Sequence, residues 1–204
     1  MPEEKNPKTE KSLGKKSALR KIKKYRKEIK FAAKIFGIDP NGIASVIFQE
    51  KYHGIFADLK DLITFLGDDL MSTILDGEKG GVNDKTPSSR SYGLAEMQLE
   101  LAAKIWGLDK DSPGTNKKAY DLLQNDKTSI ALIAAYIYMN EKDIGQKLTG
   151  ADAAGAHNMG SERYKQVING CSGKTKQAKR SEQYQKSIND ALNGIIDARK
   201  DNQR

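Results

Sequence analysis

The chain has 204 residues, of which 37% are hydrophobic and 30% are charged, and its formal net charge at pH 7 is +8. We expect one soluble globular domain with a charged surface, because this composition excludes a disordered chain and the length leaves little room for two domains. No apolar run reaches the roughly 18 to 20 residues that span a bilayer, and the charged N-terminus lacks the apolar segment of a secretory signal peptide. The positive charge indicates a polyanionic partner, and nucleic acid, anionic lipid and the bacterial wall all fit.

Cysteine and histidine are too scarce for metal or disulfide chemistry. Cys171 is the single cysteine, and His53 and His157 are the two histidines. One cysteine cannot form an intramolecular disulfide, and these three residues give no zinc-ligand spacing. We therefore expect neither a metal nor another cofactor.

The N-terminal region is basic. Residues 1–16 are rich in Lys, Glu and Pro, which predicts a flexible basic tail before a single domain over residues 17–204. From Ser17 an apolar stripe at helical spacing continues to Phe36, and Gly37 offers a stop. The other face of this predicted helix carries Lys21, Lys23, Lys24, Arg26, Lys27 and Lys30. Either a solvated helix face or a phosphate-binding surface accounts for that charge.

A short apolar segment that ends at Glu50 is the main candidate for chemistry. Asp39-Pro40 supplies a preferred N-cap and first helical residue, so a helix is predicted here. Ile43, Val46 and Ile47 then share one face, which Glu50 extends by one turn. A carboxyl held against apolar side chains has a raised pKa and stays protonated near neutral pH, as a general acid must. The alternative is a structural Glu at the edge of the core.

The remaining pattern is helical apart from one irregular region. Glycine, serine, Asn, Asp and Pro dominate residues 77–92, which predicts a binding loop with a small β-hairpin. The predicted helices are residues 59–66, 68–75, 97–106, 115–124, 129–139, 151–156, 162–168 and a last one with its inner stripe from Tyr184 to Ile195. The helix at 129–139 is apolar nearly all round, so we expect it to be central and buried. The predicted fold is mainly α.

Four sequence blocks stand in a recognisable order along residues 38–168. They are Ile43–Glu50, Ser91–Leu99, Ala134–Ile137 and Ala156–Gly160. In this order they resemble the lysozyme-like superfamily, in particular goose-type lysozymes and lytic transglycosylases. In that family the blocks are a helix with the catalytic Glu, a Ser and Gly before Gly-Leu-Met-Gln-Ile, an apolar helix with Ala-Ala-Tyr, and Ala-Tyr-Asn-Ala-Gly.

The resemblance implies a lysozyme-like helical domain that degrades peptidoglycan. A muramidase of this kind cleaves the β-1,4 bond between N-acetylmuramic acid and N-acetylglucosamine, with Glu50 as general acid. An inverting hydrolase also needs a second carboxylate, for which we favour Asp84 or Asp76 because the glycine-rich loop can reach the cleft. The implied substrate-binding residues are Ser91, Tyr92, Gly93, Glu96, Met97, Gln98, Tyr136, His157 and Asn158. A lytic transglycosylase that forms 1,6-anhydromuramyl products is the alternative.

The chain also departs from the family pattern. Lys51 follows Glu50 where the family has Ser, and His157 precedes Asn where the family has Tyr. The second block can be aligned with Glu96 in place of the usual Gln, which would put a second carboxylate at the cleft. The segment between Glu50 and Ser91 is longer than in a typical lytic transglycosylase.

Structural roles fit several of these residues equally well. Gly93 suits a turn with positive φ, and Met97 suits the core. Asn158 suits a helix cap as well as an N-acetyl ligand, Tyr136 suits packing, and His157 suits local hydrogen bonding. Their chemistry and their packing both remain open at this point.

Two other classes of protein fit the sequence. A noncatalytic basic module would bind nucleic acid or anionic wall polymer through the N-terminal helix, and it would give Glu50 no task. A helical structural protein could keep a lysozyme-like fold without activity, which is consistent with Lys51.

If the chain is an enzyme, its partner is the peptidoglycan glycan strand, and nucleic acid is not expected. Lack of a signal peptide suits a protein made in the cytoplasm that reaches the wall by another route. A phage endolysin released by a holin and an antibacterial toxin delivered by a secretion system both fit. A toxin would also imply an immunity protein.

Overall fold

The structure is a computed structural model that describes residues 7–52, 89, 91–94 and 96–195. Its helices are α1 (Pro7–Lys24), α2 (Arg26–Phe36), α3 (residues 40–52), α4 (Leu99–Trp106), α5 (Thr115–Gln124), α6 (Asp126–Ile144), α7 (Gly150–Met159), α8 (Ser161–Ile168) and α9 (Lys176–Leu192). Two short strands, β1 (Ser91–Tyr92) and β2 (Met97–Gln98), pair antiparallel. The prediction of a mainly α fold with a small hairpin is confirmed.

Glycine and Asn mark the ends of several helices, and at Gly37 and Gly107 the sequence predicts the stop. Gly37, Gly107 and Gly145 are left-handed and close α2, α4 and α6, each donating its backbone N–H to a carbonyl of the last turn. Asn125 caps the start of α6 by accepting two backbone N–H groups. These local devices fix where the helices end, so the core is assembled from helices of defined length.

The core surrounds α3 and α6. Every side chain from residue 43 to residue 48 is fully buried, which makes α3 the most enclosed helix of the described chain. The helix α6 packs against α2, α4, α5, α7 and α8, as expected of a central helix. It is less enclosed than predicted for residues 129–139, since Tyr138 is exposed.

Several element boundaries differ from the sequence prediction. Of the tail predicted over residues 1–16, residues 7–16 belong to α1 and residues 1–6 lie outside the described residues. Tyr25 separates α1 from α2. Tertiary packing explains the early start of α1: a Cβ on Gly14 would lie 2.8 Å from the carbonyl oxygen of Tyr52, so α1 closely approaches the end of α3. Ile195 is 61% exposed and lies beyond the end of α9, so it is not part of the inner stripe.

The helices predicted at 59–66 and 68–75 and most of the predicted loop at 77–92 lie outside the described residues. The strand β1 uses the last two residues of that predicted region. Within the described ranges, none of the helices combines the length and the apolar character needed to cross a bilayer.

Candidate functional site around Glu50

The helix α3 holds Glu50 at the edge of the core. Asp39 begins this helix by accepting a hydrogen bond from the backbone N–H of Asn41 (3.0 Å), and its other oxygen accepts from the N–H of Gly150 (3.2 Å). The cap therefore also joins the start of α3 to the start of α7. Glu50 follows the fully buried run and is itself half-buried, as its place on the apolar face predicted.

Side chains of α9 fix the rotation of α3. Gln49 is buried and donates through Nε2 to Oγ of Ser181 at 2.6 Å. One turn earlier, the hydroxyl of Ser45 donates to Oε1 of Gln185 at 3.5 Å, the limit of a hydrogen bond. Because Gln49 directly precedes Glu50, this contact with α9 fixes the rotation of α3 about its axis and with it the side of the helix on which Glu50 lies.

The hairpin β1–β2 brings a second carboxylate to the site. Ser91 pairs with Gln98 and Tyr92 pairs with Met97, so Gly93, Leu94 and Glu96 lie in the turn between the two strands. Leu94 and Met97 are buried in the core, and the backbone N–H of Leu94 donates to Oγ of the buried Ser129 on α6 (3.2 Å). The turn is thus held on the core and on α6 rather than projecting into solvent.

Gly93 allows this turn to approach α5. Its φ is +80°, and a Cβ at this position would lie 2.5 Å from the carbonyl oxygen of Leu123. Both the left-handed conformation and the close contact require glycine. The carbonyl oxygen of Gly93 accepts a hydrogen bond from Nζ of Lys51 at 3.1 Å. Lys51 therefore ties the turn to α3 at the residue next to Glu50.

Glu96, at the end of the turn, has a backbone conformation that residues other than glycine rarely adopt. Its φ is +45°, and it is the one non-glycine residue with positive φ in the described chain. Such a conformation costs on the order of 1–3 kcal/mol and persists where surrounding structure enforces it, often at functional sites. Anchoring of the turn through Leu94, Met97 and Lys51 supplies that enforcement.

The charge state of Glu50 follows from these neighbours. Burial, and after it the negative charge of Glu96, raise the pKa of Glu50 from 4.5 to about 8, although the positive charge of Lys51 acts in the opposite direction. Glu50 therefore keeps its proton at neutral pH beside a second carboxyl group. When one of two neighbouring carboxyl groups is protonated and the other is ionised, the first can act as an acid and the second as a base.

The open end of the hairpin presents polar groups. Ser91 and Gln98 are exposed and lie opposite each other in the sheet. Tyr92 is half-buried and meets the ring of Tyr120 edge-on, with centroids 5.0 Å apart. The side chain of Met97 belongs to the core, so the packing alternative considered for it is the one the structure has.

The remaining candidates lie on α6 and α7. Tyr136 follows Ser129 by seven residues on α6, which places it on the same side of the helix about 10 Å further along. The rings of Tyr136 and His157 meet edge-on at 5.5 Å, and burial raises the pKa of the Tyr136 hydroxyl. Asn158 is exposed and donates to the carbonyl oxygen of Ala154 (3.1 Å), a bond within its own helix.

The candidate base residues of the loop, Asp76 and Asp84, lie outside the described residues. The carboxylate that the structure brings to Glu50 is Glu96, which the sequence suggested only through an alternative alignment of the second block. The Lys51 contact and the Ser129 anchor had no recognisable sequence pattern. In the described part of the chain no group of three residues is placed to hold a metal ion, and Cys171 is exposed and free.

Comparisons with known proteins leave the site to be interpreted from its own residues. No protein-family model matches the chain, and neither the curated proteins nor the solved structures give a match. What can be proposed about function therefore depends on Glu50, Glu96 and Lys51 and on the helix and hairpin that carry them.

Proposed function

We propose that this protein is a muramidase, a glycoside hydrolase that cleaves the β-1,4 bond between N-acetylmuramic acid and N-acetylglucosamine in peptidoglycan. The observation that carries the proposal is the pair formed by a protonated Glu50 and a neighbouring Glu96. Cleavage of a glycosidic bond needs one carboxylic acid and, in most such enzymes, a second carboxylate. The resemblance of the four sequence blocks to lysozymes supports the same reaction.

Glu50 is the general acid in this proposal. Its raised pKa keeps the proton available at neutral pH, and the proton passes to the glycosidic oxygen as the bond to the sugar breaks. The sugar develops oxocarbenium character in the transition state. As the proton leaves, Glu50 becomes an anion, which Lys51 stabilises because its charge favours the ionised form.

Glu96 is the second carboxylate in this proposal. It would accept a proton from the water that attacks the sugar, so that a hydrolytic product with a reducing muramic acid end is formed. In the transglycosylase alternative the muramyl 6-hydroxyl attacks instead, and Glu96 serves only to keep Glu50 protonated. Ser91 and Gln98, on the exposed edge of the same hairpin, are suited to hydrogen bonds with the glycan strand.

The acid role is tested by replacing one carboxyl at a time. Glu50→Gln keeps the shape of the side chain without an acidic proton, so clearing of purified peptidoglycan is expected to fall by at least about a hundredfold. Glu100→Gln, which changes an exposed carboxyl on α4, is the matched control and should leave the rate unchanged. A Glu50→Gln protein that keeps its helical circular dichroism and still clears the wall would remove Glu50 from the mechanism.

The reaction type is tested on the products. Mass spectrometry of digested wall should find muropeptides with reducing muramic acid, whereas an anhydromuramyl product lacks one water. Glu96→Gln should lose most of its activity at a pH below the titration of Glu50, where the acid is protonated with or without Glu96. If anhydromuramyl products dominate and Glu96→Gln stays active there, the enzyme is a lytic transglycosylase.

The place of action proposed here is the bacterial wall. The positive charge of the chain suits an anionic wall, and glycan strands are the partner. Delivery by a holin or by a secretion system both suit this proposal, and the second would add an immunity protein as partner. A noncatalytic basic module is less well supported, because it offers no reason for a protonated Glu beside a second Glu.

A further inference from the structure

The outward side of α2 carries two large apolar side chains that are mostly exposed. Phe31 is 67% exposed and Ile35 is 62% exposed, more than any other large hydrophobic residue in the described chain. They are four residues apart, so they are neighbours on the helix surface. Single exposed hydrophobic residues are common on protein surfaces, whereas adjacent ones form an apolar patch of the kind that marks interaction sites.

This pair is not part of the protein core. The inward side of α2 is formed by Ile29, Ala32 and Ala33, which are buried, and the helix packs on α6. The helix therefore has a complete apolar face towards the protein and a second, smaller apolar pair towards solvent.

Lysine surrounds the exposed pair. Lys27, Lys30 and Lys34 are exposed on α2 within one turn of Phe31 or Ile35. Glu28 is the single acidic residue of α2, and Nζ of Lys127 lies 3.7 Å from its carboxylate, which compensates its charge. The outward side of the helix is thus both cationic and apolar.

We propose that this surface, formed by Lys27, Lys30, Phe31, Lys34 and Ile35 and called here the α2 outer face, docks on an anionic lipid bilayer. A helix that lies in the membrane interface places apolar side chains at the boundary of headgroups and acyl chains and its lysines among anionic headgroups. The α2 outer face supplies both components side by side. A nucleic acid or an anionic wall polymer would use the lysines but would leave Ile35 without a partner.

This surface is separate from the site at Glu50 and does not depend on the proposed reaction. Docking would hold the protein at a membrane while the rest of the domain stays in water. Phe31 and Ile35 project from one short helix, so we expect a reversible, salt-sensitive association rather than insertion.

The test measures sedimentation of the full chain with vesicles. The protein should bind vesicles of equal parts phosphatidylglycerol and phosphatidylcholine and should not bind phosphatidylcholine alone. Removing three lysines together (Lys27→Gln, Lys30→Gln, Lys34→Gln) should weaken binding by roughly a hundredfold, and the pair Phe31→Ser, Ile35→Ser by roughly tenfold. All five positions are exposed, so the variants should fold normally, which circular dichroism checks.

Two control variants separate the α2 outer face from net charge and general stickiness. Lys110→Gln, Lys117→Gln and Lys118→Gln together remove the same charge from exposed positions elsewhere. Trp106→Ser with Ile168→Ser removes two other exposed apolar groups. Neither control should weaken binding by more than a few fold.

Two results would overturn the proposal. One is a Phe31→Ser, Ile35→Ser protein that binds the anionic vesicles as tightly as the unmodified chain, because binding would then be purely electrostatic. The other is binding of duplex DNA or teichoic acid that is tighter than vesicle binding and is lost on removing Lys27, Lys30 and Lys34, which would make a polyanion the partner.

Discussion

Two effects of different origin keep the proton on Glu50. Burial disfavours the carboxylate because it removes water, and Glu96 disfavours it because two negative charges repel. A transition from acid to base roles within one site can be built from such a pair without a metal or a histidine.

The raised pKa of Glu50 predicts how stability depends on pH. Between its unfolded value of 4.5 and its folded value of about 8, the folded protein holds more protons than the unfolded chain. The free energy of unfolding is therefore unaffected by the Glu50 carboxyl at low pH and decreases as pH rises from 4.5 to about 8. We expect Glu50→Gln to become more stable than the unmodified protein by on the order of a few kcal/mol towards pH 8.

Urea unfolding at a series of pH values measures this effect as the difference between the two proteins. The difference should be smallest near pH 4.5 and should grow up to about pH 8. Glu100→Gln is the control, and its curve should stay parallel to that of the unmodified protein. A Glu50→Gln curve that is parallel as well would mean that the Glu50 carboxyl is well solvated.

At the scale of single residues, the sequence predicts that Glu50 faces the core, but it gives Glu96 only as one of several candidates for the second carboxylate. Glu50 follows from helical periodicity, because its place on the apolar face depends only on residues within two turns. The position of Glu96 depends on the turn between β1 and β2 and on contacts of this turn with α3, α5 and α6, which come from distant parts of the chain. Spacing along the sequence holds no information on such contacts, so the sequence favours Asp84 or Asp76 only through the reach of the glycine-rich loop.

At the scale of single elements, the hairpin matters because it carries Glu96. Its strands have two residues each, too few to be stable alone, so contacts with the helices must hold it in place. Gly93 lies so near the backbone of Leu123 that no Cβ would fit, and this approach can be tested separately from the backbone preference for glycine.

Gly93→Ala is predicted to destabilise the protein more than Gly107→Ala. Both glycines are left-handed, with φ of +80° and +74°, so both substitutions carry a conformational cost of about 1 kcal/mol. Only at Gly93 would the added Cβ collide with backbone, since nothing lies within 4 Å of a Cβ on Gly107. Thermal unfolding should give Gly93→Ala an additional loss of roughly 1–3 kcal/mol.

The same pair of variants tests whether the hairpin positions the chemistry. Gly93→Ala should lower the rate of wall clearing at a temperature where it remains folded, and Gly107→Ala should not. Equal losses of stability in the two variants would show that α5 yields to the extra methyl group and that the approach is not tight.

Element ends were predicted best where they depend on nearby residues. Gly37 and Gly107 mark the ends of α2 and α4 because a left-handed residue stops a helix whatever surrounds it. The start of α4 was predicted two residues early, because Met97 and Gln98 pair with Ser91 and Tyr92 instead. The helical start at Pro7 was missed for a similar reason, since it accompanies packing of α1 on the end of α3.

At the scale of the whole molecule, α9 contacts α3, the helix that carries Glu50. The bond from Gln49 to Ser181 joins residues that are 132 positions apart, and both side chains are buried. The helix α9 also packs on α1 and α7, so it joins early and late parts of the chain. We infer that α9 unfolds together with α3 rather than separately.

A double-mutant cycle on Gln49 and Ser181 tests this cooperation. Ser181→Ala removes an acceptor from a buried amide and should cost about 1–3 kcal/mol, and Gln49→Leu removes the donor. The double variant should lose about 1 kcal/mol less of the free energy of unfolding than the sum of the two single losses. Each single variant leaves one buried polar group without its partner, whereas the double variant removes both groups of the bond. Urea unfolding supplies the three values, provided that each protein unfolds in one transition.

The exposed bond between Ser161 and Asp143 (3.0 Å) gives the matched control, because water can replace it. Ser161→Ala should therefore change stability by less than about 0.5 kcal/mol. Additive losses at Gln49 and Ser181 would mean that α9 is only loosely attached to α3. The direction of the Glu50 carboxyl would then have to be set by the hairpin and Lys51 alone, and Lys51→Met would lower wall clearing more than Ser181→Ala does.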